Sequence, residues 1–127
     1  LQGGVMIARD RSDRGALAAR LPQIGNLYVS LAQRTATRSG LSYCYRRAVE
    51  HYRQSLTAAY EAGDAFMQAD LLRTIGEVLL ALDEPGQAIN HLDAAYQMFS
   101  SLGVDAPLAA LQAALGQAQA ARQAQAG

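Results

Sequence analysis

Apolar residues recur along this chain at intervals of three and four, which is the spacing of one face of an α-helix. No stretch shows the two-residue alternation of a half-buried strand, and β-branched residues are sparse. The pattern predicts five helices. Their apolar positions are Leu17, Leu21, Ile24, Tyr28 and Leu31; Ala48, Val49, Tyr52, Leu56 and Ala59; Leu72, Ile75, Leu79 and Leu82; Ala88, Ile89, Leu92, Ala95 and Phe99; and Leu108, Leu111 and Leu115. The predicted fold class is therefore all-α, an array of antiparallel helix hairpins.

Glycine, proline and short polar residues mark the predicted helix ends. Pro22 is expected near the start of the main segment of the first helix, because proline is tolerated in a first turn. Asp105 is expected to cap the N-terminus of the fifth helix. The predicted stops are Gly40 for the first helix, Gly63 for the second, residues 83–86 for the third and Gly103 for the fourth.

The length of 127 residues corresponds to one domain. Residues 17–120 are predicted to form the helical domain. Residues 1–16, rich in glycine and then in charge, are expected to be a lead-in, and the Ala/Gln-rich residues 121–127 a frayed tail. Because the chain begins with Leu, we expect it to be a piece of a larger protein.

Three glycines lie inside predicted helices, at Gly25, Gly76 and Gly116, and each directly follows an apolar residue. A glycine inside a helix costs about 1 kcal/mol relative to alanine. Shifting the chain by 40 residues aligns Gly76 with Gly116 and Gly63 with Gly103. Self-similarity of this kind indicates a repeated helix pair, which must stack on a neighbour to bury its apolar face. We therefore predict that a neighbouring helix packs closely over each of the three glycines.

The segment "LLRTIGEVLLALDEPGQAINHLDAAY", residues 71–96, resembles a tetratricopeptide (TPR) repeat. The matching positions are Leu72, Ile75, Gly76 and Leu79 in its first helix, and Ala88, Leu92 and Ala95 in its second. An earlier copy matches with Leu21, Ile24, Gly25 and Tyr28, followed by Ala48 and Tyr52. Its two helices are separated by about eleven additional residues, "RTATRSGLSYC", which either extend the helices or form a longer loop.

The resemblance covers roughly residues 17–120 and is similar to the long TPR repeats of bacterial regulators, about 40 residues each. The proline that ends many such repeats is absent, and Ser100 stands in its place. Gln112 and Gln119 occupy apolar positions of the pattern, so the fifth helix resembles an end-cap. The family implies a right-handed array whose first helices line a concave groove for a partner.

The resemblance also implies which side chains would face that groove. The candidate partner-binding residues are Asn26 and Gln33, beside Val29, on the first helix; Asp70, Arg73 and Glu77, with Leu80, on the third; and Gln117, with Ala113, on the fifth. Asp70, Arg73 and Glu77 fall on one helical stripe. This stripe suits a groove for an extended or helical peptide. It equally suits a solvated ladder of charges that only supports its own helix, and the sequence leaves both interpretations open.

Charge is distributed unevenly, although the formal net charge is zero. Residues 1–53 carry nine arginines and three acidic residues, a net charge of +6, and residues 54–127 carry −6. The arginine-rich half could bind an acidic carrier domain or nucleic acid, although nucleic acid is the less favoured partner. It could also meet the acidic half of a second copy and produce a homo-oligomer.

Motifs for catalysis, cofactors and metals are missing. The sequence has no glycine-rich phosphate loop and no HExxH, CxxC or GxSxG motif. Cys44 and His51 lie seven residues apart, about 10 Å along a helix, which is too far for a nucleophile and its base. His51 and His91 are related by the repeat, but a zinc site would need two further ligands. We therefore predict no enzyme activity, catalytic residue, cofactor or metal.

The sequence favours a non-catalytic protein–protein interaction module, a TPR-like scaffold or regulatory domain that binds a peptide or protein segment. Self-association and an accessory domain docking a carrier domain or nucleic acid are the alternatives. A cytoplasmic, bacterial protein without membrane contact is expected. Its single cysteine fits a reducing compartment, and it has neither a leader pattern nor an apolar run near the roughly 20 residues of a membrane span.

Overall fold

The computed structural model describes residues 22–127, which form five helices and no strand. The helices are α1, described over residues 22–34; α2, Arg38–Ala62; α3, Ala65–Ala81; α4, Pro85–Ser101; and α5, Leu108–Ala126. The predicted all-α class is confirmed. The predicted lead-in at residues 1–16, and the positions of Leu17 and Leu21, lie outside the described residues.

Two of the predicted helix ends are confirmed by the backbone. Gly63 follows α2 with φ of 72°, and its N–H donates to the carbonyl oxygens of Ala59 and Tyr60. Gly103 has the same φ of 72° beyond the end of α4. Glycine adopts this left-handed conformation without the penalty that a Cβ brings. The start of α3 is capped by Asp64, whose carboxylate accepts a hydrogen bond from the Met67 N–H at 3.0 Å.

The predicted stop at Gly40 is wrong. α1 ends at residue 34, and Gly40 lies in the first turn of α2. The Thr37 hydroxyl accepts a hydrogen bond from the Gly40 N–H at 3.2 Å. Because this side-chain cap starts a new helix at Arg38, Gly40 lies within α2 and does not end α1. Most of the "RTATRSGLSYC" segment therefore extends α2, which reaches 25 residues.

The start of α5 also differs from the prediction. α5 begins at Leu108 with Pro107 as its N-cap, and no side chain caps it. The backbone carbonyl of Asp105, rather than its carboxylate, accepts a hydrogen bond from the Leu108 N–H at 3.1 Å. A turn therefore replaces the expected cap. At its other end α5 continues to Ala126, so the helix includes most of the 121–127 tail.

Each helix from α2 to α5 packs against the next, as expected for consecutive antiparallel hairpins. α3 is central, because it contacts α2, α4 and, over a small area, α5. The largest fully buried side chains in the described chain are Tyr52, Phe99, Ile75, Leu92 and Leu111. They come from all four helices, so a single core runs through α2 to α5.

Close packing over glycine occurs at two of the three predicted positions. A Cβ built on Gly76 would lie 2.7 Å from Cγ of Leu92 on α4, and one built on Gly25 would lie 2.7 Å from Cε1 of Tyr52 on α2. In both places a large side chain of the next helix rests on the glycine backbone. The prediction is wrong for Gly116, where a Cβ would have no neighbour within 4 Å, because no further helix follows α5 in the described residues.

The apolar side of α1 is partly uncovered. The exposed fractions are 40% for Ile24, 65% for Leu27 and 50% for Leu31. These residues lie at helical spacing on one face. Helix α1 therefore uses one side to pack Gly25 on Tyr52 and presents a second, apolar side to its surroundings.

Candidate partner-binding cleft

A cleft of about 360 Å³ lies between α1 and α3, above α2. Its lining residues are Asn26, Val29 and Gln33 from α1; Tyr45 and Tyr52 from α2; and Arg73, Thr74, Glu77, Val78 and Ala81 from α3. Gln33, Glu77 and Ala81 are exposed, so the cleft opens to solvent along its rim. The structure thus places polar residues of α1 and α3 along the same cleft.

Tyr52 forms the floor of the cleft and is only 1% exposed. Its hydroxyl donates a hydrogen bond to Oδ1 of Asn26, which joins α2 to α1. Because this bond uses the carbonyl oxygen of Asn26, the amide nitrogen remains able to donate to a ligand. Burial, followed by the negative charge of Glu77, raises the pKa of Tyr52 to about 12 from its ordinary value of 10.0.

The raised pKa of Tyr52 leads to a pH-dependent stability. Below pH 10 the phenol is protonated in both the folded and the unfolded chain, so its contribution is fully present. Between pH 10 and 12 the unfolded chain loses its proton first, and the free energy of unfolding falls, by about 1.4 kcal/mol at pH 11. Urea unfolding near pH 8 and near pH 11 measures this loss.

The Tyr52→Phe variant is the control for this titration. It has no hydroxyl at the cleft floor, so its stability should lack this component of the pH dependence. An equal decline in the wild type and in Tyr52→Phe above pH 10 would show that another group is responsible.

Arg73 is held between two carboxylates on α3. Its Nη1 lies 2.6 Å from Oε1 of Glu77, and its Nη2 lies 2.7 Å from Oδ1 of Asp70. Burial by itself would lower the pKa of Arg73, but the hydrogen bonds and charges of Asp70 and Glu77 outweigh it and raise that pKa. The guanidinium therefore stays charged and is engaged within its own helix.

The predicted groove residues are only partly brought together. Asn26, Gln33, Arg73 and Glu77 all line the cleft. Asp70 lies next to it through its bond to Arg73. Gln117 is exposed on α5 and is not part of the cleft lining.

Two aromatic residues of the cleft were not among the predicted groove residues. Tyr45 and Tyr52 come from α2, whereas the family resemblance assigns groove positions to first helices only. Tyr45 reaches the cleft because α2 begins seven residues before it, within the extra segment. A signal was present, since Tyr45 and Tyr52 stand seven apart and so share one helical face.

The residues assigned to repeat packing lie mostly in the interior. Nine of the ten are buried, and Tyr28 is half-buried; the nine are Gly25, Ala48, Tyr52, Leu72, Ile75, Gly76, Ala88, Leu92 and Ala95. The Tyr28 ring stacks on His51, with ring centroids 5.5 Å apart and planes 13° apart. The Arg47 guanidinium lies 5.7 Å from the centre of the Tyr28 ring. Tyr28 therefore fastens α1 to α2.

Within residues 22–53, ion pairs engage two arginines of the arginine-rich half. Arg46 bonds to Glu84 at 2.8 Å and Arg47 to Glu50 at 2.6 Å. Arg46 and Glu84 also line a separate hollow of about 300 Å³ beside α2, α3 and α4. The hollow contains both signs of charge, and pairing lowers the positive potential that an acidic ligand would meet there.

Within residues 22–127, no three His, Cys, Asp or Glu side chains are grouped as a metal site requires. Cys44 is half-buried, and His91 places Nδ1 2.9 Å from the carbonyl oxygen of Gln87. None of the helices in this part of the chain combines the length and apolarity needed to cross a bilayer.

Comparison of the chain with protein-family models, curated proteins and solved structures finds no match. Its function is therefore inferred from the cleft itself. The relevant features are the amide groups of α1, the aromatic floor of α2 and the charged stripe of α3.

Proposed function

We propose that this chain is a non-catalytic interaction module of TPR-like repeats that holds a segment of a partner protein in the α1–α3 cleft. The observation that carries the proposal is the cleft of about 360 Å³, in which polar groups of two helices converge over Tyr45 and Tyr52. Amide, aromatic and charged side chains around an open channel suit a peptide backbone and its side chains.

The glycine contacts support the TPR-like part of the proposal. The Tyr52 side chain packs against Gly25, and the Leu92 side chain packs against Gly76, in successive hairpins. Four residues before each large side chain stands a fully buried alanine, Ala48 or Ala88. The same packing unit is thus used twice, as a helical-repeat array requires.

The openness of the cleft favours a protein segment over a small metabolite. Small-molecule pockets generally bury about 70–90% of their ligand. Here the rim residues Gln33, Glu77 and Ala81 are exposed. An elongated ligand could lie across the rim and still contact Val29 and Val78 on the two walls.

Selection from a random dodecapeptide library displayed on phage, followed by NMR titration of the ¹⁵N-labelled chain, tests this function. We expect recovered peptides to shift the amide signals of Asn26, Gln33 and Thr74. Binding that shifts only signals of α5, or a selection that yields no binding peptide, would contradict the proposal.

Self-association is a second candidate, and the exposed apolar side of α1 is the observation that favours it. Leu27 is 65% exposed, with Ile24 and Leu31 beside it. Pairing of this face with a second copy would remove apolar area from water. Analytical ultracentrifugation over a range of concentrations and salt would detect such a dimer.

Leu27→Glu should abolish that dimer, because a carboxylate would have to be desolvated in the contact. Gln119→Glu, an exposed position on α5, is the matched control and should leave the mass unchanged. A wild type that remains monomeric at every concentration and salt would remove this candidate.

A further inference from the structure

We propose that the cleft selects partner segments with a lysine or arginine, whose cationic group lies against the carboxylates of Glu77 and Asp70. This inference rests on the proposed function, since it specifies the chemistry of the segment that the cleft holds. It follows from the net charge of Asp70, Arg73 and Glu77, which form the α3 stripe, and from the solvent exposure of their side chains.

The α3 stripe contains one cation and two anions. Arg73 and Glu77 are the charged residues among the cleft lining, and Asp70 is bonded to Arg73 beside it. Arg73 uses Oε1 of Glu77 and Oδ1 of Asp70, so each carboxylate retains a second oxygen. The net charge of the three residues is −1, which complements a positively charged ligand.

The solvent exposure of these side chains also favours a positively charged ligand. The side chains of Glu77 and Asp70 are 51% and 41% exposed, against 31% for Arg73. A larger fraction of each acidic side chain than of the Arg73 side chain is therefore accessible to a ligand. An approaching anion meets a guanidinium whose two terminal nitrogens already donate to carboxylates of its own helix.

Glu77 also influences the cleft floor. Its negative charge is the second cause, after burial, of the raised pKa of Tyr52. The other polar lining residues, Asn26 and Gln33 among them, are uncharged. Among the described residues, no charged side chain of α1 or α2 lines the cleft, so the net charge of −1 on Asp70, Arg73 and Glu77 together is not offset by a cation of either helix there.

The apolar part of the cleft suits the rest of a cationic side chain. Val29, Val78 and Ala81 lie along the same cleft as Glu77. Lysine and arginine bury their methylene stems on apolar surface while their charged ends stay at a polar rim. A lysine or arginine would therefore use both features of the cleft at once.

Two substitutions in the same ion-pair network give opposite expectations. Glu77→Gln makes the α3 stripe neutral, and Arg73→Gln makes it −2. We expect Glu77→Gln to weaken the binding of recovered dodecapeptides by about two- to fivefold and Arg73→Gln to strengthen it, as measured by fluorescence anisotropy. Loss of structure would weaken binding in both variants, so opposite signs separate recognition from damage.

Analogues of the same peptides, with norleucine in place of lysine and citrulline in place of arginine, complete the test. We expect them to bind wild type more weakly and to be insensitive to Glu77→Gln. Recovered peptides that bind in the cleft equally well without a cation would overturn this inference and leave the proposed function standing. Peptides that shift no signal of the cleft residues would overturn both.

Discussion

Replacing Tyr52 with alanine is expected to lower the free energy of unfolding by about 3–5 kcal/mol, as for other large buried aromatic residues. Tyr52 is 1% exposed, and its ring lies on the backbone of Gly25. Its hydroxyl also holds Asn26. The substitution removes this contact between α1 and α2 and leaves a cavity beneath the cleft, so urea unfolding should show the full loss.

Two controls separate packing from the hydroxyl group. Tyr52→Phe keeps the ring and should cost about 1 kcal/mol, the usual net value of one hydrogen bond. Tyr60→Ala removes a tyrosine that is 59% exposed on the same helix and should change stability by no more than about 0.5 kcal/mol. Equal losses for Tyr52→Ala and Tyr60→Ala would contradict the assignment of Tyr52 to the core.

Gly76→Leu is expected to destabilise the fold by about 1–3 kcal/mol through overpacking. The first added carbon would already lie 2.7 Å from Cγ and 2.8 Å from Cδ2 of Leu92, and 3.3 Å from its backbone nitrogen. Relief would require α3 and α4 to move apart, because the contact includes backbone as well as side chain. Thermal and urea unfolding both measure this effect.

Gly116→Leu is the matched control, since it makes the same change at the glycine that aligns with Gly76. A Cβ at Gly116 has no neighbour within 4 Å. Leucine is the better helix former, so this variant should be neutral or more stable by up to about 0.8 kcal/mol. If both variants lose the same stability, close packing against Leu92 is not what makes Gly76 necessary.

Local patterns predicted most of the helical framework. The apolar periodicity indicates five helices, and glycine at Gly63 and Gly103 marks two of their ends because it tolerates a positive φ. Gly40 follows the same pattern in the sequence, but Thr37 supplies a competing N-cap. Which of two local signals prevails depends on their relative free energies, and composition alone does not provide these.

Features that depend on contacts between helices were harder to predict from the sequence. Gly25, Gly76 and Gly116 look alike in the sequence, yet only the first two have a large side chain against them. The resemblance to TPR repeats predicts groove residues on α1, α3 and α5. It gave no reason to include Tyr45, whose place in the cleft depends on the extension of α2.

The affinity of one recovered peptide for two alanine-to-phenylalanine variants shows whether the α1–α3 cleft is the partner-binding site. Ala81 and Ala120 are both exposed, but only Ala81 lines the cleft. If the α1–α3 cleft is the binding site, the Ala81→Phe side chain fills it and lowers the affinity for the peptide by about tenfold or more. Ala120→Phe should bind like the wild type. Unchanged affinity in Ala81→Phe, or an equal loss in both variants, would contradict the assignment of the cleft as the partner-binding site.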